Sequence, residues 1–270
     1  PDGFVPQFEG SRFAVARTMA AYRDWEEVKE IETLYLDMIA AAKRFIYAEN
    51  QYLTSPKIAA AIRRRMEEPD PPEIVVVGPI EAEGWLEQVA MDATRLRLIK
   101  IIGQSDPQNR FRVYTPKTAG GDDIYVHAKI MIIDDRILRI GSSNMNNRSL
   151  GLDSECDLAL EASTDGEKQA ITALRTRLMA EHCGVSEEEL SAKFAETGSL
   201  IKTIESYQQG RHLQLLEYEK PTGVSKAIAE TELLDPKSPD AMFEGMTRRS
   251  LFDPFRRPWR RRSHRSSVPV

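Results

Sequence analysis

The sequence predicts an α/β protein, a mixed sheet flanked by helices on both faces, followed by extra C-terminal helices and a disordered basic tail. Three observations carry this prediction. The runs Phe45-Ile46-Tyr47-Ala48 and Glu73-Ile74-Val75-Val76-Val77 are apolar without alternation, as in strands covered on both sides. Between such runs lie segments with apolar residues every three or four positions, the mark of helices packed by one face. Finally, residues 125–140 read as two strands joined at Asp135-Arg136, a hairpin.

The chain of 270 residues is 41% hydrophobic and 29% charged, ordinary for a globular protein and enough for one large or two modest domains. A net charge of -5 argues against a generally basic surface for nucleic acid, though a local basic groove stays open. Cys156 and Cys183 make no disulfide framework, and no cysteine–histidine spacing suggests a metal site. Both cysteines read as small buried apolar residues, and neither a metal nor another cofactor is expected. No apolar run approaches the ~18 residues that span a bilayer. The start at Pro1, without a signal pattern, reads as the carboxy-terminal portion of a longer polypeptide, so localisation stays open between cytoplasmic and peripheral-membrane.

Taken in order, residues 1–25 form a lead-in with a short strand candidate, Phe13-Ala14-Val15-Ala16. Residues 26–44 carry Val28, Ile31, Leu34, Tyr35, Met38, Ile39 and Ala42 at helical spacing, with acidic residues early and Lys43-Arg44 late. The strand at 45–48 runs into the polar cluster Glu49-Asn50-Gln51-Tyr52, at the strand end where open α/β sheets collect ligands. The same residues equally satisfy backbone groups in a loop. A helix over 56–66 stops at Pro69-Asp70-Pro71-Pro72. A helix over about 85–102 and a strand over 111–115 follow. Thr118 to Asp123 form a lead-in loop, and 156–161 another strand. Thr164 and Asp165 open a helix to about Cys183, and Ser186 with Glu189 opens a shorter one to Thr197. Leu200, Ile201, Ile204, Tyr207 and Leu215 predict a helix over 199–218. His182 and His212 show no partner in the sequence and read as packing or surface histidines. Residues 248–265 interleave arginines with Phe252, Phe255 and Trp259, a composition that suits anionic lipid headgroups or a solvated disordered tail.

Within the hairpin, the period of two points His127 and Lys129 to one face, and the turn brings Asn144 to the same edge. An imidazole beside a cation and neutral donors such as Ser142 and Asn144 suits a phosphate ester: the ring attacks or protonates, the others hold anionic oxygens. The bland reading is a half-buried histidine, a solvated lysine and a glycine-serine turn.

The spacing decides between the two. His127-x-Lys129-x4-Asp134-x6-Gly141-Ser142-x-Asn144 resembles the signature of the phospholipase D superfamily at every specified position. Ile46-Tyr47-Ala48-Glu49-Asn50-Gln51-Tyr52 resembles a segment of its lipid-cleaving branch, and Asn146-Asn147-Arg148-Ser149 resembles the continuation in phospholipase D and cardiolipin synthase relatives. The resemblance spans about residues 20–185. It implies a phospholipase D-like catalytic half domain over 26–185, with a helical extension over 186–235 and the basic tail over 236–270. It also implies phosphatidyl hydrolysis or transfer through a phosphohistidine, which needs no metal. His127 becomes the acid for the leaving alcohol, Lys129 and Asn144 hold phosphoryl oxygens, and Glu155 orients the partner histidine. Asp134 is expected to support the backbone, and Ser142, Glu49, Asn50 and Gln51 to line the substrate.

Members of this kind pair two such motifs, and this chain holds one. The expected partners are therefore phospholipid, a membrane surface, and either an upstream half carrying the first motif or a second copy, as in single-motif homodimeric nucleases of the superfamily. The net charge and the Glu-Asn-Gln-Tyr segment weigh against nucleic acid as substrate. A catalytically silent lipid- or partner-binding half is the remaining alternative.

Overall fold

The computed structural model describes residues 5–80, 85–207 and 212–216; side chains are described outside 85–92. The chain builds β1 (Ala14–Met19), β2 (Val28–Lys29), α1 (Glu30–Ala41), β3 (Phe45–Asn50), α2 (Pro56–Met66), β4 (Glu73–Val77), α3 (Trp85–Gln104) and β5 (Phe111–Pro116). There follow β6 (Lys129–Ile133), β7 (Ile137–Gly141), α4 (Asn147–Gly151), β8 (Glu155–Glu161), α5 (Asp165–Cys183), α6 (Glu187–Thr197), α7 (Leu200–Ser206) and β9 (Leu213–Leu215). One mixed sheet of nine strands runs in the order β2-β1-β8-β7-β6-β3-β4-β5-β9. Among the described strands, only the β3–β4 and β4–β5 pairs are parallel, and β3 and β4 carry the unalternating apolar runs. Every residue of β3 and β4 is buried.

Alternate side chains of these strands feed two cores. Ile46, Ala48, Ile74 and Val76 pack with α1, α2 and α3, whereas Phe45, Tyr47, Val75 and Val77 pack with α5, α6 and α7. Each fully buried valine or isoleucine contributes about 1.5–3 kcal/mol. The helices begin where their caps are: Ser55 accepts from the Ile58 amide ahead of Pro56, and Thr164 and Glu167 form a reciprocal capping box. Ser186 caps α6 through the Glu189 amide.

Three expectations are corrected. Residues 26–44 do not form one helix, because Val28 and Lys29 pair with Met19 and Thr18 as a strand. The helix expected over 199–218 stops at Ser206, and Leu213–Leu215 instead pairs antiparallel with Pro116–Tyr114 at the sheet edge. Its apolar residues fit both periods over so short a run, and the free edge of β5 decided between them. Cys156, on β8, is exposed; only Cys183 is buried. Of the helical extension expected from residue 186, α6 and α7 pack in the second core and β9 joins the sheet. The basic tail lies outside the described residues; among those described, no helix is long and apolar enough to cross a membrane.

Candidate functional site

The β6–β7 hairpin is anchored from both sides of its turn. Asp134 and Asp135 both take left-handed backbone, with φ of 55° and 53°, a conformation aspartate tolerates better than most residues. The Asp134 carboxylate accepts from the amides of Lys43, Arg44 and Phe45 at 2.8, 2.9 and 2.8 Å, tying the turn to the start of β3. Asp135 receives two bonds from Arg175 of α5, at 2.6 and 2.8 Å. Arg175 itself lies over the rings of Phe45 and Phe194, 5.3 and 4.3 Å from their centroids. Asp134 therefore holds backbone, at the opposite end of β6 from Lys129.

At the other end of the hairpin, a buried polar network holds the Gly141-Ser142-Ser143-Asn144 corner. Arg139 donates to Asp157 through Nε at 2.8 Å and Nη2 at 2.5 Å, with both side chains essentially inaccessible. Its Nη2 also reaches the Ser143 carbonyl at 2.9 Å and the Ser143 hydroxyl. Ser143 Oγ donates to Asp157 at 2.6 Å, and its amide donates to the other carboxylate oxygen at 3.2 Å. Tyr35 of α1 donates its hydroxyl to the Ser143 carbonyl at 3.0 Å and stacks under the guanidinium at 4.5 Å. Burial pushes the Tyr35 phenol up to about 12, so it stays a donor. Gly141 is required by this packing: a Cβ there would sit 2.0 Å from Asp157 Oδ1 and 2.6 Å from its Cα.

Against this scaffold stands the reactive rim. Lys129, the first residue of β6, sends its ammonium to Gln51 Oε1 at 3.1 Å and to the His127 carbonyl at 2.7 Å. Asn144 Nδ2 approaches the same Gln51 oxygen at 3.4 Å. Two donors thus converge on one acceptor. Gln51 Nε2 donates in turn to the hydroxyls of Tyr125 at 2.5 Å and Tyr52 at 3.1 Å. His127 is exposed and precedes β6 by two residues, so the expected strand through both residues is corrected: only Lys129 belongs to it. The imidazole stacks on Tyr125, with centroids 6.5 Å apart and an 18° interplanar angle. Loss of hydration lowers the Lys129 pKa to about 8, against the pull of Glu155 and with a smaller push from Arg139.

The remaining expected residues divide. Both oxygens of Glu155 are engaged, Oε2 by Ser142 Oγ at 2.5 Å and Oε1 by Ser149 Oγ at 2.6 Å, so Ser142 and Glu155 lie together at the corner. Asn50 is buried and ties two segments together. Its Oδ1 accepts from the Tyr52 and Met145 amides, both at 3.1 Å, joining the end of β3 to the corner. Glu49 is turned to the opposite face of the sheet, where it is buried, accepts from Tyr47 at 2.7 Å and pairs with His182 at 3.2 Å. Glu49 is therefore corrected from substrate contact to core polar residue, and His182, expected to have no partner, has this one. Alternation along β3 is the reason: Tyr47 and Glu49 face α5, while Asn50 faces α1. Asn146 caps α4 through the Ser149 amide at 2.9 Å, and Arg148 pairs with Asp153.

Reasoning from sequence missed Tyr35, Tyr125, Arg139, Ser143 and Asp157. A signal existed for two of them. Arg139 is the one cation in β7 and Asp157 lies mid-strand in the adjacent β8, and charges within two apolar strands must pair.

Residues 35–175, more than half the chain, match the family model described as the cardiolipin synthase, PLD-like domain. Among curated relatives, a phospholipase D of Phytophthora infestans is 26% identical over 212 residues, covering 60% of this chain and 12% of that protein. Phospholipase D zeta 2 of Arabidopsis thaliana is 30% identical over 213 residues, covering 59% of this chain and 20% of that one. The chain thus spans a minor part of the length of these relatives. Among solved structures, a phosphatidylserine synthase of Haemophilus influenzae aligns with a TM-score of 0.50 at 14% identity, over 87% of this chain and 47% of that one. That likeness extends the match to the fold.

Proposed function

The chain belongs to the cardiolipin synthase, PLD-like family of the phospholipase D superfamily of phosphodiesterases, and on that premise we propose that it supplies one of two motifs of a site that hydrolyses or transfers the phosphatidyl group of phospholipids. The observation that carries the reading is the convergence of Lys129 Nζ and Asn144 Nδ2 on Gln51 Oε1. Two donors, one of them cationic, focused on a single oxygen beside an exposed imidazole are what a phosphoryl oxygen in flight requires.

In this mechanism this chain supplies the second motif, and a histidine from the first motif attacks phosphorus, forming a P–N bond as the P–O bond to the headgroup breaks. His127, protonated, gives its proton to the departing alkoxide. Water or a second alcohol, deprotonated by His127, then displaces the histidine, restoring both rings. Lys129 and Asn144 hold the non-bridging oxygens throughout, and Glu155 reaches the partner histidine. Phospholipid as substrate is supported by the names of the curated relatives, by the Ile46 to Tyr52 segment and by the net charge of -5.

The source of the first motif is supported by a row left exposed, among the described residues, on the α5 side of the sheet. Val15, Leu158 and Ile140 are register partners on β1, β8 and β7, yet are 57%, 39% and 47% exposed. An adjoining half, upstream in the same polypeptide or on a second copy, covers such a row. Phosphatidylcholine, phosphatidylglycerol and bare DNA, assayed in parallel for released headgroup, cardiolipin and nicked strand, test the reading. Headgroup release or cardiolipin is expected, lost by at least about a thousandfold in His127→Ala, with the unfolding midpoint unchanged because the residue is exposed. Nicked DNA alone would replace phospholipid with nucleic acid.

A further inference from the structure

His127 starts two residues before β6, outside the ladder that orients Lys129, and its ring makes no hydrogen bond within the described residues. Something else must hold it. In the extended segment before the strand, Val126 is buried, and Tyr125 and His127 project together on the other side. That spacing alone brings their rings alongside. The Tyr125 hydroxyl makes the contact directional, because it accepts from Gln51 Nε2 at 2.5 Å. Gln51 is 92% removed from solvent by the complement of its 8% exposure, and its oxygen is the meeting point of Lys129 and Asn144.

We infer that Tyr125 is a positioning residue: its ring orients the His127 imidazole, and its hydroxyl, held by Gln51, ties that orientation to the donors on Lys129 and Asn144. Gln51 is then the shared strut of the site, with one amide atom setting the phosphoryl donors and the other setting the histidine. A geometry error of about 1 Å at the imidazole costs on the order of a hundredfold in rate, so such a link has work to do at an exposed ring. The catalytic consequence rests on the phosphodiesterase reading above; the structural link does not.

The test follows the ring carbon-bound protons of His127 by NMR in the full chain, with the resonance assigned by its loss in His127→Asn. Tyr125→Leu should abolish the ring-current displacement of that resonance. Tyr125→Phe keeps the ring and removes its anchor, and should shift the resonance part of the way. Gln51→Met should shift it in the same direction, and the double variant no further than either single one, because both cut the same link. In turnover, Tyr125→Phe should lower kcat by on the order of ten- to a hundredfold with KM within about twofold. An unmoved His127 resonance in folded Tyr125→Leu overturns the inference, as does a double variant that equals the sum of the singles. If the chain joined to the half that carries the other motif turns over no phosphodiester at all, the function proposed above fails, while the resonance comparison still decides whether Tyr125 orients His127.

Discussion

The back and the front of the β6–β7 hairpin are built on opposite principles. Behind the Gly141 corner, Arg139 and Asp157 are 0% exposed and joined to each other, to Ser143 and to Tyr35. In front, His127 is exposed, and Lys129 and Asn144 share one oxygen of Gln51. The back turns its hydrogen bonds inward, with Arg139 Nη1 alone of the guanidinium nitrogens lacking a partner among the described residues. The front holds Asn144 on Gln51 Oε1 and Lys129 on that oxygen and the His127 carbonyl, neutral acceptors that an anionic oxygen can displace. Residues of one motif are therefore held differently: Asp134 and Gly141 are locked into the scaffold, while His127, Lys129 and Asn144 stand at the rim, where the proposed reaction would take place.

The largest break in this comparison is at the back. Asp157→Ala leaves the Arg139 guanidinium buried without its counter-ion and removes two acceptors from Ser143. Loss of one partner of such a pair costs about 3–5 kcal/mol, and chemical denaturation should show it as a fall in midpoint at constant slope. Activity should fall too, because the corner carrying Asn144 loses its support. The paired change Arg139→Met with Asp157→Leu should recover part of the stability, as apolar replacement of both charges avoids the uncompensated one. Recovery of no stability would mean that Ser143 and Tyr35, rather than the ion pair, hold the corner.

Asp134→Asn is a finer probe. Asparagine tolerates the same left-handed backbone, at φ 55°, but one oxygen replaces two as acceptor for the amides of residues 43–45. A cost of about 1–2 kcal/mol is expected, with catalysis reduced far less than in His127→Ala. Equal losses of rate in the two variants would return Asp134 to the reacting groups and erase the division between back and front.

The same division explains what the sequence made legible. The strands β3 and β4 were plain because burial on both faces leaves unbroken apolar runs, and the helices α2 and α5 because Ser55 with Pro56 and Thr164 with Glu167 are strong start signals. His127, Lys129 and Asn144 were readable from spacing. Glu49 was misplaced because a residue at the very end of β3 still obeys strand alternation, which sends its carboxylate to His182 while Gln51, beyond the strand, is free to turn to Lys129. Tyr125 escaped notice because nothing local marks an aromatic that acts through a residue 74 positions away. Leu213–Leu215 needed the free edge of β5, which no window of sequence displays.

The smallest expected effect concerns Lys129, and its sign is the sharpest test of the front. Dehydration holds its pKa near 8, below the ordinary 10.5. Between these values the unfolded chain binds the proton and the folded chain does not, so this lysine makes stability rise with pH through that window; below about pH 8 its cost is fully present. Lys129→Met should remove the cost, leaving stability at pH 7 unchanged or raised by on the order of 1 kcal/mol, and flatten the rise between pH 8 and 10.5. Turnover should behave oppositely. A neutral amine holds a phosphoryl oxygen poorly, so rate should fall as pH rises through about 8 in the parent chain. In Lys129→Arg the alkaline limb should move upward, because guanidinium stays charged throughout. An alkaline limb unmoved in Lys129→Arg would assign it to another group and leave Lys129 without a charge-dependent part in the reaction.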